Sequence, residues 1–300
     1  MCWSATFRSA TNDPHDEHHR LERLGTLGGR KAGGAGSDNQ PCSDRVVRGP
    51  GAGVGTALSR WTALHKLHLP RPLRYSEDID LVRTTAGPIG PILDRIRERL
   101  EPWLGRATFE QSITAPKLRF RVPAEDGSGD IRLKVEINTR EIEAFDPPQA
   151  ILFSVENPWF GGEAEISTFS REELLATKLR ALLQRDKGRD LLDLFQALET
   201  FEALDSPRIV ECFGLYIERG GTPISRAQAE ERMFAKLATP RFMADIRPLL
   251  SPDRAELLTE SEIRRAFVAV FVTLISIMPG ASWAKTSDMK KRFGIADVQD

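Results

Sequence analysis

The sequence predicts an α+β fold, with a mixed or antiparallel sheet flanked by helices and a C-terminal helical region. Three observations predict it. In KLRFRV (117–122) Leu118, Phe120 and Val122 alternate with basic residues, and in DIRLKVEI (130–137) Ile131, Leu133, Val135 and Ile137 alternate with Arg132, Lys134 and Glu136, the period of half-buried strands. Ile89, Ile92, Leu93, Ile96 and Leu100 recur at helical spacing. Beyond Asp205 the chain reads as several helices punctuated by Gly220-Gly221, Pro240 and Pro252.

Taken in order, residues 1 to about 60 do not read as a folded domain. Val, Ile, Leu and Phe are sparse there, and ten of the 23 glycines fall between Gly25 and Gly55. Such a segment reads as a disordered tail, or as the product of a misassigned start or a shifted reading frame, and the abrupt change of texture near Thr62 favours the second. The expected organisation is therefore a low-complexity or non-native segment over 1–60, a core over 61–168 and a helical region over 169–300. TALHKL (62–67) suggests the last turns of a helix, followed by a Pro-bounded loop and a strand carrying Ile79, Leu81 and Val82. A helix follows at about 88–101. The connector PAEDGSG (123–129) is a turn by composition, so the strands around it form an antiparallel hairpin. Ser170 and Glu173 have capping-box spacing at the head of a helix whose buried stripe is Leu174, Leu175, Leu179 and Leu182. Another helix covers about 189–199, and no internal repeat is seen.

At 300 residues and 33.5 kDa the chain can bury a full core. With 42 Lys and Arg against 43 Asp and Glu, the composition as a whole does not mark a nucleic-acid binder, so a polyanion would have to be held by local basic faces. Cys2, Cys42 and Cys212 are too few and too scattered for a disulfide framework or a paired-ligand zinc site, and a reducing cytoplasmic setting is the simplest. The longest apolar run, Ala266 to Met278, falls short of the roughly 20 residues that cross a bilayer, so it reads as a buried helix and no membrane role is expected.

The chemistry concentrates in Arg74-Tyr-Ser-Glu-Asp-Ile-Asp-Leu81. Residues two apart on a strand point to one side, which sets Asp78 and Asp80 roughly 7 Å apart at Cα, a reach suited to one or two Mg²⁺ (or Mn²⁺) ions completed by substrate phosphates. Glu136 is the candidate third carboxylate, as metal ligand or base, although its position alone fits a solvated residue equally well. Lys178 lies at the edge of its helix's buried stripe and offers a cation to a triphosphate. Arg189, Asp190 and Asp193 open the next helix, where acidic residues are also expected from the helix dipole alone. Arg71 and Arg74 could contact phosphate or be ordinary loop charges. Lys117, Arg119, Arg121, Arg132 and Lys134 could lie along an RNA backbone, or some could simply keep an exposed sheet solvated. His18 and His19 sit where no fold positions ligands, His65 and His68 read as packing or capping residues, and Cys212 as a core residue.

These blocks resemble the abortive-infection AbiEii/AbiGii toxins, a branch of the polymerase-beta-like nucleotidyltransferases. The resemblance is carried by Thr62-Ala-Leu64, Arg74 to Leu81, Leu133-Lys-Val-Glu-Ile137, Glu173 to Leu182 and Arg185 to Leu194, in that order, over roughly residues 62–200. It implies a nucleotidyltransferase sheet and a metal held by Asp78, Asp80 and Glu136. It places Thr62, Arg74 and Ser76 at the nucleotide, Lys178 and Arg189 at phosphate, and Asp190 with Asp193 in the pocket. It further implies a Mg-dependent enzyme moving a nucleotide from an NTP to RNA, notably the tRNA 3′ end. The family's members are toxins of bacterial toxin–antitoxin pairs, so a cognate antitoxin is the implied partner.

One departure matters. The paired glycines expected before the Thr-Ala-Leu block are here Arg60 and Trp61, while a second Gly-Thr-Ala-Leu lies at Gly55–Leu58. Glycines there let backbone amides approach phosphate, and a residue with a Cβ does not copy that. Either the chain upstream of Thr62 is not authentic family sequence, or Gly55 serves instead through a local insertion, or the enzyme is impaired, so two other readings stand beside the first. One is a catalytically impaired toxin homologue acting only through protein binding. The other is a glycosyltransferase using an Asp-x-Asp pair, for which the segment before Thr62 is too poor in apolar residues to supply a nucleotide-binding unit.

Overall fold

The structure, a computed structural model, describes residues 55–69, 74, 78–123, 129–157, 160–239, 242, 244, 246–250 and 252–295. The expectations for residues 1–54, Arg71, Ser76 and most of the 123–129 turn lie outside the described residues. The chain forms two compact units, one of residues up to Leu67 with Tyr75–Phe169, the other of His68–Arg74 with Ser170–Asp300.

The first unit is built on a seven-stranded mixed sheet: β1 (Thr56–Leu58), β2 (Asp78–Arg83), β3 (Thr108–Glu110), β4 (Lys117–Pro123), β5 (Asp130–Asn138), β6 (Gln149–Asn157) and β7 (Phe160–Thr168). Their spatial order is β3-β4-β5-β2-β1-β7-β6. The β2/β5 and β1/β7 pairs are parallel and the others antiparallel. The expected hairpin is β4–β5, with Phe120 opposite Leu133 and Lys117 opposite Glu136. Period-2 alternation makes the sheet two-faced. Ile79, Leu81, Leu118, Phe120, Leu133, Val135, Ile137 and Ile166 are buried on one face, and helix α2 (Gly90–Leu104) packs beside β4 with Ile92, Leu93 and Ile96 inward. Pro91 at the start of that helix sits where a missing N–H costs nothing.

The fold begins earlier than composition suggests. β1 lies inside the glycine-rich stretch, and it is fully buried between β2 and β7. Gly55 precedes it with φ +68°, a backbone conformation that favours glycine, and a Cβ there would stand 2.7 Å from the Thr85 hydroxyl oxygen, so that exposed side chain would have to rotate aside. A short helix, α1 (Arg60–Ala63), follows and widens into a π-turn over Leu64–His68.

The second unit is helical: α3 (Arg171–Gln184), α4 (Gly188–Thr200), α5 (Ser206–Arg219), α6 (Arg226–Leu237), α7 (Pro252–Leu257), α8 (Glu260–Val270) and α9 (Thr286–Arg292). The Ser170 hydroxyl accepts from Glu173 N at 3.1 Å, giving α3 the N-cap its sequence announces. The Glu173 side chain is buried and accepts from the Tyr216 hydroxyl of α5 at 2.7 Å. The apolar run Ala266–Met278 is the end of α8 continued through a π-turn at Phe271–Ile275. Phe234, Phe267, Phe271 and Phe293 cluster there with ring centroids 5.3–6.3 Å apart. Cys212 is fully buried, a core residue as its pattern suggests. Among the described residues no helix is long and apolar enough to cross a membrane.

Candidate functional site

The polar face of the first unit's sheet gathers the residues with chemistry. β2 and β5 run parallel with Asp78 beside Lys134 and Asp80 beside Glu136. Neighbouring strands lie about 4.8 Å apart, so Asp80 and Glu136 are adjacent like charges, an arrangement that destabilises a sheet unless a cation or a ligand offsets it. Apolar partners impose this register. Ile79 beside Val135 and Leu81 beside Ile137 fill the core from the opposite face, and a slip by one residue would turn either Asp78 and Asp80, if β2 moved, or Glu136, if β5 moved, into it.

Thr62 fixes the strand from the side of α1. Its buried hydroxyl donates to Asp78 O at 2.8 Å and accepts from Asp80 N at 3.1 Å. It stands 3.4 Å from Asp80 Oδ2. Ser59 N donates to Asp80 O at 3.0 Å. The threonine of the Thr-Ala-Leu block is therefore tied to the backbone that carries the acidic pair.

Lys134 joins two of the three carboxylates, its Nζ lying 2.8 Å from Asp78 Oδ2 and 3.3 Å from Glu136 Oε2. Burial works against its charge, but hydrogen bonds and attraction from Asp78 and Glu136 outweigh that and hold its pKa above the ordinary lysine range. Its β4 neighbour Arg119 and Lys117, the β4 neighbour of Glu136, both pair with Glu110 of β3, at 2.7 and 3.1 Å. Arg121 and Arg132 face each other across the β4–β5 pair and are exposed. The basic row expected along these strands is thus present, but Lys117 and Arg119 join an edge ion-pair cluster, Lys134 joins the acidic site, and Arg121 and Arg132 are exposed.

The second unit has its own charge network. Asp193 accepts from Arg74 Nε and Nη2 at 2.8 and 2.7 Å and from Lys178 Nζ at 2.8 Å. Asp190 accepts from Arg185 at 2.6 and 2.8 Å and lies 3.4 Å from Lys178 Nζ. Arg74, Lys178, Asp190 and Asp193 are all buried. Burial pushes the Asp190 carboxyl up, yet Lys178 and Arg185, together with Arg189, outweigh it and hold the carboxyl below its ordinary range. The spacing of three in the first turns of α4 therefore turns both aspartates toward one partner, Lys178, rather than leaving them as dipole ornaments.

The structure therefore brings Thr62, Asp78, Asp80 and Glu136 together in the first unit, and Arg74, Lys178, Asp190 and Asp193 together in the second. Two participants were not legible as such in the sequence. Lys134 reads there as an RNA-facing charge, because its place beside Asp78 depends on the parallel pairing of strands about 50 residues apart in sequence. Arg185 closes Asp190 from a loop position with no periodic signal. Half-buried His68 packs edge-on against Phe201 at 6.3 Å, and burial, helped by Arg171, lowers its pKa to about 4, in keeping with a packing role.

Residues 55–270 match the family described as the nucleotidyl transferase AbiEii toxin of Type IV toxin–antitoxin systems. No curated protein matches the chain. Among solved structures it is similar to MenT4, a nucleotidyltransferase toxin from Mycobacterium tuberculosis, at 16% identity and a TM-score of 0.53, over 93% of this chain and 87% of that one. A Helicobacter pylori protein, JHP933, aligns at 14% identity and a TM-score of 0.45, over 94% and 96% of the two chains. The likeness to MenT4 supports the α+β fold, and the family match, which spans most of the chain, decides the membership. The chain belongs to the AbiEii nucleotidyl transferase toxin family.

Proposed function

We propose that this chain is a divalent-metal-dependent nucleotidyltransferase that moves a nucleotide from an NTP to an RNA acceptor, the 3′ end of tRNA. The observation that carries the reading is the parallel register that sets Asp80 beside Glu136 with Asp78 two residues along the same face. Family membership makes it a toxin of a toxin–antitoxin pair, which implies an antitoxin partner. The donor set fits Mg²⁺ or Mn²⁺ in its chemistry, being all carboxylate oxygen on one sheet face. As the side chains stand, no three His, Cys, Asp or Glu residues among those described are placed to hold a metal ion. Asp78, Asp80 and Glu136 would hold it, and when bound it would offset triphosphate charge and favour departure of pyrophosphate.

The remaining work falls to the chain itself. The acceptor hydroxyl attacks the α-phosphorus, the new O–P bond forms as the α–β bridge breaks, pyrophosphate leaves, and the hydroxyl proton passes to a carboxylate of the trio. Thr62 holds the Asp78–Asp80 backbone so that the carboxylates need not be ordered at each turnover. Exposed Arg121 and Arg132 offer phosphate contacts for the RNA backbone. Lys178, Arg189, Asp190 and Asp193 enter the proposal through the family pattern they match, and their substitution is tested separately from that of the sheet residues.

The test is transfer of label from each α-labelled NTP to purified tRNA and to total RNA with Mg²⁺. Label should appear with at least one NTP, and Asp78→Ala or Asp80→Ala should reduce it by about 10²-fold or more. Absence of transfer with all four NTPs and both acceptors rejects the activity. That outcome would favour the second reading, an impaired toxin acting through protein binding.

A further inference from the structure

In the first unit, the position of Lys134 raises a question that the family's pattern does not answer. A cation already sits among the carboxylates. The Lys134 ammonium reaches both Asp78 and Glu136, its strand is locked to β2 by five consecutive pairs from Asp78↔Lys134 to Val82↔Asn138, and its side chain is only 23% exposed. The basic neighbours across β4 pair with Glu110 at the sheet edge. Lys134 therefore offsets two of the three carboxylates crowded on one face, Asp78 and Glu136.

We propose that Lys134 is a built-in counter-ion that holds the site together before metal arrives and is displaced when a divalent cation binds, so that it sets the metal affinity of the site. This rests on the metal reading above. A divalent ion that draws Asp78, Asp80 and Glu136 inward must take Asp78 and Glu136 away from the ammonium. A 2+ ion and an ammonium at one point would repel each other, so the lysine swings outward along its flexible stem. The swing leaves a cation at the rim of the site, where an incoming triphosphate is met. Lys134 is in this sense a positioning residue, acting on metal and nucleotide through the carboxylates.

The experiment is Mn²⁺ binding to the full chain, followed by calorimetry and by loss of the free-Mn²⁺ electron paramagnetic signal, with melting temperature in metal-free and Mn²⁺ buffers as a second readout. Two partly exposed ion pairs resist displacement by about one order of magnitude in binding constant. Lys134→Met should then bind Mn²⁺ about tenfold more tightly than wild type, melt lower without metal, and gain more from Mn²⁺. Lys134→Arg, which keeps the charge, should stay within about threefold of wild type. Lys134→Gln gives the same comparison where methionine is poorly tolerated. Unchanged or weaker Mn²⁺ binding in both neutral variants overturns the proposal while leaving the metal reading intact. Wild-type Mn²⁺ binding that is indifferent to Asp78→Ala and Asp80→Ala overturns the metal reading, and this proposal with it.

Discussion

Replacing Asp193 with alanine should be among the most destabilising single changes in the second unit. The side chain is 2% exposed and accepts three charge-assisted hydrogen bonds, two from Arg74 and one from Lys178, all between 2.7 and 2.8 Å. Alanine removes the acceptor and leaves the Arg74 guanidinium buried without this counter-charge, while Lys178 retains Asp190 at 3.4 Å. Breaking a buried pair by deleting one partner costs about 3–5 kcal/mol. Two of the three lost bonds at about 1.5–3 kcal/mol each give a similar figure. Against a total stability of roughly 5–15 kcal/mol, that is a large share. Urea unfolding by far-UV circular dichroism, with amide exchange in α4 as a local probe, measures it. The double variant Arg74→Met with Asp193→Leu should lose less than the sum of its singles, because no unpaired guanidinium remains. A loss below about 1 kcal/mol for Asp193→Ala, or strict additivity in the double variant, would show that the network contributes little and refute the reasoning.

Other expectations follow from single contacts. Thr62→Val keeps the shape but leaves Asp80 N without its acceptor, and should cost about 1–3 kcal/mol in a thermal melt, with Thr62→Ser restoring most of it. Glu230 is fully buried and accepts from Arg226, Ser282, Trp283 N and Thr286. Burial would raise its pKa, but these donors outweigh it and hold the carboxyl below its ordinary 4.5. A depressed folded pKa contributes stability that is complete above the unfolded value and is lost as pH falls through the folded one. Glu230→Gln should therefore lose about 2–4 kcal/mol at neutral pH and flatten the acid limb of a stability-against-pH curve below about pH 4.5. An unchanged acid limb would mean that this carboxylate does not govern it.

The elements legible in the sequence were those whose periodicity is local. The β4–β5 hairpin follows from alternation in KLRFRV and DIRLKVEI, α2 from its isoleucines and leucines, and α3 from a cap that Ser170 makes as its spacing suggests. The β6–β7 hairpin was not legible, because its second strand opens on Phe-Gly-Gly-Glu-Ala-Glu, a composition poor in β-branched residues. Nor was β1, three residues inside a glycine-rich stretch, which owes its strand state to pairing on both sides rather than to propensity. At the site, Asp78, Asp80 and Glu136 could be named from sequence, but not their adjacency. Arg74 reads as a phosphate contact or a loop charge, and only tertiary packing shows it clamped on Asp193, 119 residues away.

The adjacency of Asp80 and Glu136 is best understood as a consequence of the core on the other side of the sheet. Parallel strands of pattern Asp-Ile-Asp-Leu and Lys-Val-Glu-Ile admit registers that differ by two without exchanging faces, so alternation alone does not choose among them. A shift of β5 by two one way would set Glu136 beside Asp78 and carry Lys134 past the end of β2. A shift the other way would set Lys134 beside Asp80 and Glu136 beside Val82. In the register observed, each acidic position of β2 faces a different member of the Lys-x-Glu pair, and Lys134 lies within reach of both Asp78 and Glu136. Thr62 adds a restraint from α1 by binding the backbone at both Asp78 and Asp80. The apolar face thus excludes the one-residue slips, and the charges on the polar face, with Thr62, select among what remains. The negative charge at Asp78 and Glu136 is offset in this fold because the same register delivers Lys134 to both.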